Sequence, residues 1–142
     1  MIRRLTPAWR LRATVAAVVL APLVHLVKLD RLARWAAAGT AGRPSDPGVD
    51  DLALAEWVDR VLGWLPWPWR RTCLKRGIAI YALLARAGRP AELQVGVRRG
   101  DDGELAAHAW LTRGGAPVLE GNVEELSRLR VIDTFAPGRM AT

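Results

Sequence analysis

The stretch Thr72-Cys73-Leu74-Lys75-Arg76-Gly77-Ile78-Ala79-Ile80-Tyr81-Ala82-Leu83-Leu84 runs on through Gly88-Arg89-Pro90 into Ala91-Glu92-Leu93-Gln94-Val95-Gly96-Val97-Arg98, and it decides the fold. Leu74, Ile78, Tyr81 and Leu84 fall on one stripe, as residues three and four apart do on an α-helix. Thr72 is the expected N-cap, which sets Cys73 in the first turn. Gly88 and Pro90 stop the helix. The period then drops to two: Ala91, Leu93, Val95 and Val97 alternate with Glu92, Gln94, Gly96 and Arg98, the pattern of a strand. Arg99-Gly100-Asp101-Asp102-Gly103 has hairpin chemistry, and Glu104 to Thr112 is the returning strand. Arg113-Gly114-Gly115 turns again, and Pro117 to Glu120 starts a third strand. A helix followed by an antiparallel meander is an α+β arrangement.

Upstream, a helical region is expected from about Trp9 to Ala38, broken or kinked near Pro22. The turn-rich residues Gly39 to Gly48 read as a linker. Asp50 and Asp51 can cap a helix that carries Leu54, Val58, Val61, Leu62 and Leu65 on one face. Pro66-Trp67-Pro68-Trp69 ends it, because neither proline continues the hydrogen-bond ladder. Trp57, Trp64, Trp67 and Trp69 gather near this break, either as core and hinge packing or as a groove that grips a peptide.

Of the 142 residues, 51% are hydrophobic and 25% charged, a balance that excludes a disordered or collagen-like chain. The one cysteine can form no internal disulfide and no cysteine-rich zinc site, so a reducing cytoplasm is the expected compartment. The net charge of +7 is unevenly spread. Residues 1–35 hold seven basic side chains and only Asp30 as an acid, whereas the remainder holds fourteen basic and thirteen acidic ones. With no zinc-finger, phosphate-loop or aromatic RNA-binding motif beside it, this basicity does not indicate a nucleic-acid partner. Ala13 to Val27 contains no acidic or basic residue apart from His25, but it is shorter than the ~20 apolar residues of a spanning helix. Lys28-Leu29-Asp30-Arg31 is also a poor signal-peptidase site. Two readings stay open here: a buried or partner-facing helix, or one lying on a membrane surface.

Three residues suit nucleophilic chemistry. Cys73, at a helix start, faces unpaired backbone N–H groups and the positive end of the helix dipole, a setting that favours a thiolate. His108 lies within the returning strand, on the face of Ala106 and Trp110. Glu120, on the next strand, can lie beside it in an ordinary hairpin register and hold the imidazole tautomer. Ala106, Ala107 and Ala109 leave room for a substrate backbone. A buried structural cysteine and a core histidine are the plainer alternatives. His25 has no metal-spaced partner. The papain-type signature Cys-Gly-Ser-Cys-Trp is absent, and the interval from cysteine to histidine is 35 residues instead of ~130–150.

Residues Cys73 to Leu84, Ala87-Gly88-Arg89-Pro90-Ala91-Glu92-Leu93, Gly96-Val97-Arg98 and His108-Ala109-Trp110 together resemble the lasso-peptide leader peptidases. These form the transglutaminase-like peptidase half of the lasso-peptide B protein. The likeness covers about residues 66–122, and the length fits the stand-alone peptidase form. It implies N-terminal helices packed on a small transglutaminase-like (papain-like) core of one catalytic helix and an antiparallel sheet. The implied division is a basic helical region at 1–40, a linker at 41–50 and a cysteine peptidase core at 51–142. It further implies Cys73 as nucleophile and His108 as base. The third position is usually Asp, and Glu120 is its match here, with Asp133 and Glu124 as alternatives. Trp67, Trp69 and Trp110 are candidate substrate contacts. The implied partners are a precursor peptide cut between leader and core, a separate leader-recognition protein and an ATP-using macrolactam synthetase; no metal or cofactor is implied. A transglutaminase-like acyltransferase and a non-catalytic membrane-associated scaffold are the rival readings.

Overall fold

A computed structural model of the chain describes residues 5–40, 43–46, 49–66, 72–119 and 123–137. In chain order these form α1 (Pro7–Leu23), α2 (Leu29–Ala36), α3 (Asp51–Trp64), α4 (Cys73–Arg86), β1 (Glu92–Arg99), β2 (Leu105–Arg113), β3 (Ala116–Val118), α5 (Val123–Ser127) and β4 (Arg130–Phe135). The strands make one antiparallel sheet in the order β3-β2-β1-β4, so the fold is α+β as expected.

Helix α4 starts where Thr72 Oγ accepts the Lys75 N–H at 3.3 Å, the N-cap that the sequence calls for. It stops at Gly88, whose φ of +74° suits a residue without a Cβ, and the Arg89 N–H closes back on the Leu84 carbonyl at 3.0 Å. A side chain at Gly88 would also overlap the Pro44 carbonyl. Every residue of the helix from Gly77 to Ala85 is buried, well beyond the single stripe read from periodicity. Helices α1 and α3 cover one side of it and the sheet covers the other. Against the sheet, Gly77 allows close approach: a Cβ there would stand 3.0 Å from Leu93 Cδ1 and 4.0 Å from Ala109 Cβ.

Helix α3 follows its sequence signals, with Asp50 accepting the Ala53 N–H at 3.1 Å and Leu54, Val58, Val61 and Leu62 buried. The first helical region breaks after Leu23 and resumes at Leu29, leaving Pro22 in the last turn of α1. Residues from α1, α2, α3, α4 and the sheet share one hydrophobic core. The described part of the linker is pinned to that body: Asp46 accepts from Trp9 Nε1 at 3.1 Å and donates its N–H to the Ala87 carbonyl at 2.8 Å.

In the sheet, Leu93 pairs with Leu111 and with Phe135, and Val95 pairs with Ala109. That row meets α4. The returning strand begins at Leu105, after a Gly100–Glu104 turn in which Gly103 takes φ +82°. The third strand is shorter than expected and ends at Val118, because Leu119 adopts φ +59°, a conformation that turns the chain out of the ladder. Glu120 lies outside the described residues. Neither α5 nor β4 was expected from the sequence.

Tyr81 is fully buried, and its hydroxyl has no hydrogen-bond partner among the described residues. Burial pushes its phenol above the ordinary range. An unfolded tyrosine ionises near pH ~10 while the folded one stays neutral, so its contribution is complete below that pH and is lost as pH rises through it. Tyr81→Phe should melt at the same or a higher temperature at neutral pH and lose less stability above pH ~10 than the parent. Parallel thermal melts test this, and an identical alkaline loss in both proteins would refute it.

Candidate active site

Cys73 is the first residue of α4 and is half-buried, packed against the rim of the core. The N-terminal end of this helix reaches the surface, which leaves the thiol beside the N–H groups of a first turn. Arg76, three residues on, ties that turn to two other elements. Its Nε donates to Asp59 Oδ1 on α3 at 2.8 Å, and its Nη2 donates to the Leu119 carbonyl at 3.1 Å. The guanidinium and carboxylate are mostly shielded, at 21% and 29% exposure, which makes this pair more than a solvated surface bridge. The bond to Leu119 holds the left-handed residue that ends β3, immediately before Glu120 in the chain.

His108 lies on β2 directly opposite Gly96 on β1. Its ring stacks on Trp110, with centroids 6.0 Å apart and planes 13° apart. Trp110 in turn lies over Gly96, where a Cβ would come within 2.8 Å of the indole and 3.1 Å of Leu129 Cβ. Gly96 is therefore the space into which the indole fits, and Leu129 covers it from the α5 side. Side chains alternate along a strand, so His108 and Trp110 share one face of β2 while Ala109 and Leu111 face α4.

Ala109 faces α4, so His108 and Trp110 lie on the other face of β2 from the helix that carries Cys73. Strand β3 pairs with Leu111 to Arg113 alone, so among the described residues Leu105 to Trp110 has no strand partner on that side. The Arg76–Leu119 bond puts the first turn of α4 beside the end of β3, at the margin of the same open stretch.

The alternative carboxylates are placed differently. Asp133 pairs with Val95, in the row that includes Ala109 and not in the His108 row, and its Oδ1 accepts the Thr134 N–H at 3.1 Å. Glu124 is exposed on the short α5. Trp67 and Trp69 lie outside the described residues. Trp110, expected as a substrate contact, is 5% exposed and walls one side of His108. Sequence reading missed the roles of Gly96 and Arg76. A glycine inside an alternating strand was the available signal for the first. Among the described residues, no group of three or more His, Cys, Asp or Glu side chains could hold a metal ion.

Residues 11–134 match the Transglutaminase-like superfamily, and the chain belongs to it. The match runs from α1 to β4, so the N-terminal helices are part of the family unit. This superfamily includes cysteine peptidases as well as acyltransferases. No curated protein matches the chain significantly, and no solved structure does.

Gly96→Ala tests the wall. The added methyl must displace the Trp110 ring, at a cost of about 1–3 kcal/mol for overpacking. A lowered melting temperature with a changed near-ultraviolet tryptophan signal is expected. An unchanged melt and spectrum would show that the indole does not lie over Gly96.

Proposed function

We propose that this chain is a cysteine peptidase that removes the leader from a ribosomally made lasso-peptide precursor. The observation that carries this reading is Cys73 at the capped, surface-reaching end of the central helix of a transglutaminase-like core. The Gly-Val-Arg and His-Ala-Trp blocks that mark the resemblance lie on the adjoining strands β1 and β2.

The chemistry follows from the residue types. The Cys73 thiolate attacks the carbonyl carbon of the last leader residue, and first-turn N–H groups of α4 stabilise the oxyanion. The carbon–nitrogen bond breaks as His108 passes a proton to the departing amine, leaving the leader as a thioester on sulfur. Water, losing its proton to His108, then attacks that thioester, releasing the leader carboxylate and restoring the thiol. Glu120 completes the triad by orienting the imidazole. The reaction requires the two side chains to meet at the open edge of β2, past the end of β3. No metal or cofactor takes part in this scheme.

The described helices and sheet share one core, and no described element forms a separate peptide clamp. The resemblance to the stand-alone peptidase form is what assigns leader recognition to a second, separate protein. The freed core amine passes to an ATP-using macrolactam synthetase. A precursor made on ribosomes and a nucleophile that must stay reduced place the reaction in the cytoplasm.

Incubating the precursor with this chain, with and without the recognition protein, tests the scheme by mass spectrometry. Hydrolysis yields two peptides whose summed mass exceeds the precursor by one water; a cross-linked product would instead show an acyltransferase. Cys73→Ala should abolish cleavage, and His108→Ala should slow it by about 10²–10⁴-fold. Glu120→Gln should slow turnover with folding nearly intact. A folded Cys73→Ala protein that still releases the leader overturns the assignment. Equal rates with and without the recognition protein refute the division of labour.

A further inference from the structure

Helix α1 presents four of its larger aliphatic residues outward. Trp9, Ala13, Ala17, Leu20 and Ala21 are buried, whereas Leu11, Val15, Val18 and Val19 are 66%, 52%, 37% and 38% exposed. Leu26, at the corner after α1, is 79% exposed. Between α1, α2 and the C-terminal half of α4 runs an open groove of about 540 Å³. Leu11, Val15, Val19 and Trp35 give it apolar walls, and Trp35 is itself 58% exposed. Arg12, Arg43 and Arg86 stand along it, and among the described residues no acidic side chain lines it. The sole acid among residues 5–40 is Asp30, which sits 4.0 Å from Arg34 on its own helix.

We propose that this face seats the protein on an anionic membrane surface. Three features select a bilayer over a peptide. Val18 and Leu26 expose further apolar surface outside the groove, which a chain lying in the groove would leave bare. Arginines beside an apolar stripe, with an aromatic ring among them, are the arrangement in which aliphatic stems and the indole enter the headgroup boundary while guanidiniums meet lipid phosphates. The charge is of one sign. Helix α1, at 17 residues, spans about 25 Å, and among the described residues no helix is long and apolar enough to cross a membrane. It therefore lies on the surface instead of spanning it. Leu83, in the groove, is ten residues along α4 from Cys73, about 15 Å away, so the face is separate from the nucleophile.

Co-sedimentation of the full chain with phosphatidylcholine vesicles, with and without phosphatidylglycerol, tests this. Strong pelleting only with phosphatidylglycerol is expected. Replacing Arg12, Arg43 and Arg86 together by Gln should weaken it on the order of a hundredfold, from three basic side chains near the surface. Val15→Asp with Val19→Asp should abolish it, and Trp35→Ser should weaken it in a fold that circular dichroism shows to be intact. Failure to pellet with phosphatidylglycerol vesicles overturns the proposal. Pelleting that survives both the aspartate pair and Trp35→Ser also overturns it, since binding would then be electrostatic adsorption with no apolar insertion. A chain that ignores vesicles yet binds an acidic amphipathic peptide in the groove overturns it in favour of a protein partner. None of these outcomes depends on precursor cleavage.

Discussion

Enclosure of α4 is the constraint on which the rest of the structure depends. A helix buried from Gly77 to Ala85 has no solvent face and must be covered from every direction. Helices α1 and α3 cover one side and the sheet the other, so the N-terminal helices share the core of the sheet. The same enclosure decides where chemistry can occur. Only the helix ends reach the surface, and Thr72 fixes the N-terminal one so that Cys73 occupies it. Arg76 then ties that end to Asp59 and to the Leu119 carbonyl, joining three elements within one turn of the thiol.

The opposite side of the sheet is built by one missing side chain. Gly96 gives the Trp110 indole a place to lie, Leu129 closes over it, and the His108 ring stacks on what remains. Trp110 therefore contributes to His108 through packing. A strand histidine held against a buried indole has fewer orientations than one in solvent, and the orientation it does have belongs to the face away from α4.

What could be read from sequence was what local signals dictate. The Thr72 cap, the Gly88 stop, the change of period at Ala91 and the glycine-rich hairpin all act within a few residues, and each stands where it was expected. Strand β4 was illegible because Arg130 to Thr134 are all exposed, so no alternation of burial is written into them; pairing with β1 alone makes them a strand. The early end of β3 depends on a left-handed leucine, a residue type that carries no signal for that conformation. Period two correctly put His108 with Trp110, but it cannot say which face of a strand meets the helix. Ala109 and Leu111 are smaller or more apolar than their neighbours, and packing against Gly77 turned their row inward, taking the histidine row outward.

Close packing in the core and exposure at the surface have a common origin in α1. Ala13, Ala17 and Ala21, spaced one turn apart, form an inner row small enough for the backbone of α1 to approach the covered helices. The aliphatic bulk of this uncharged segment has to go elsewhere, and the helical period sends Leu11, Val15 and Val19 outward. Larger residues inside would push α1 away from α4 and loosen the cover that keeps α4 dry. Polar residues outside would keep the packing while removing the apolar face, so the fold alone does not require the outward valines. Their presence beside Arg12, Arg43 and Arg86, with no acidic side chain among the described residues of the groove, is a feature that packing does not explain and that an anionic, partly apolar surface does.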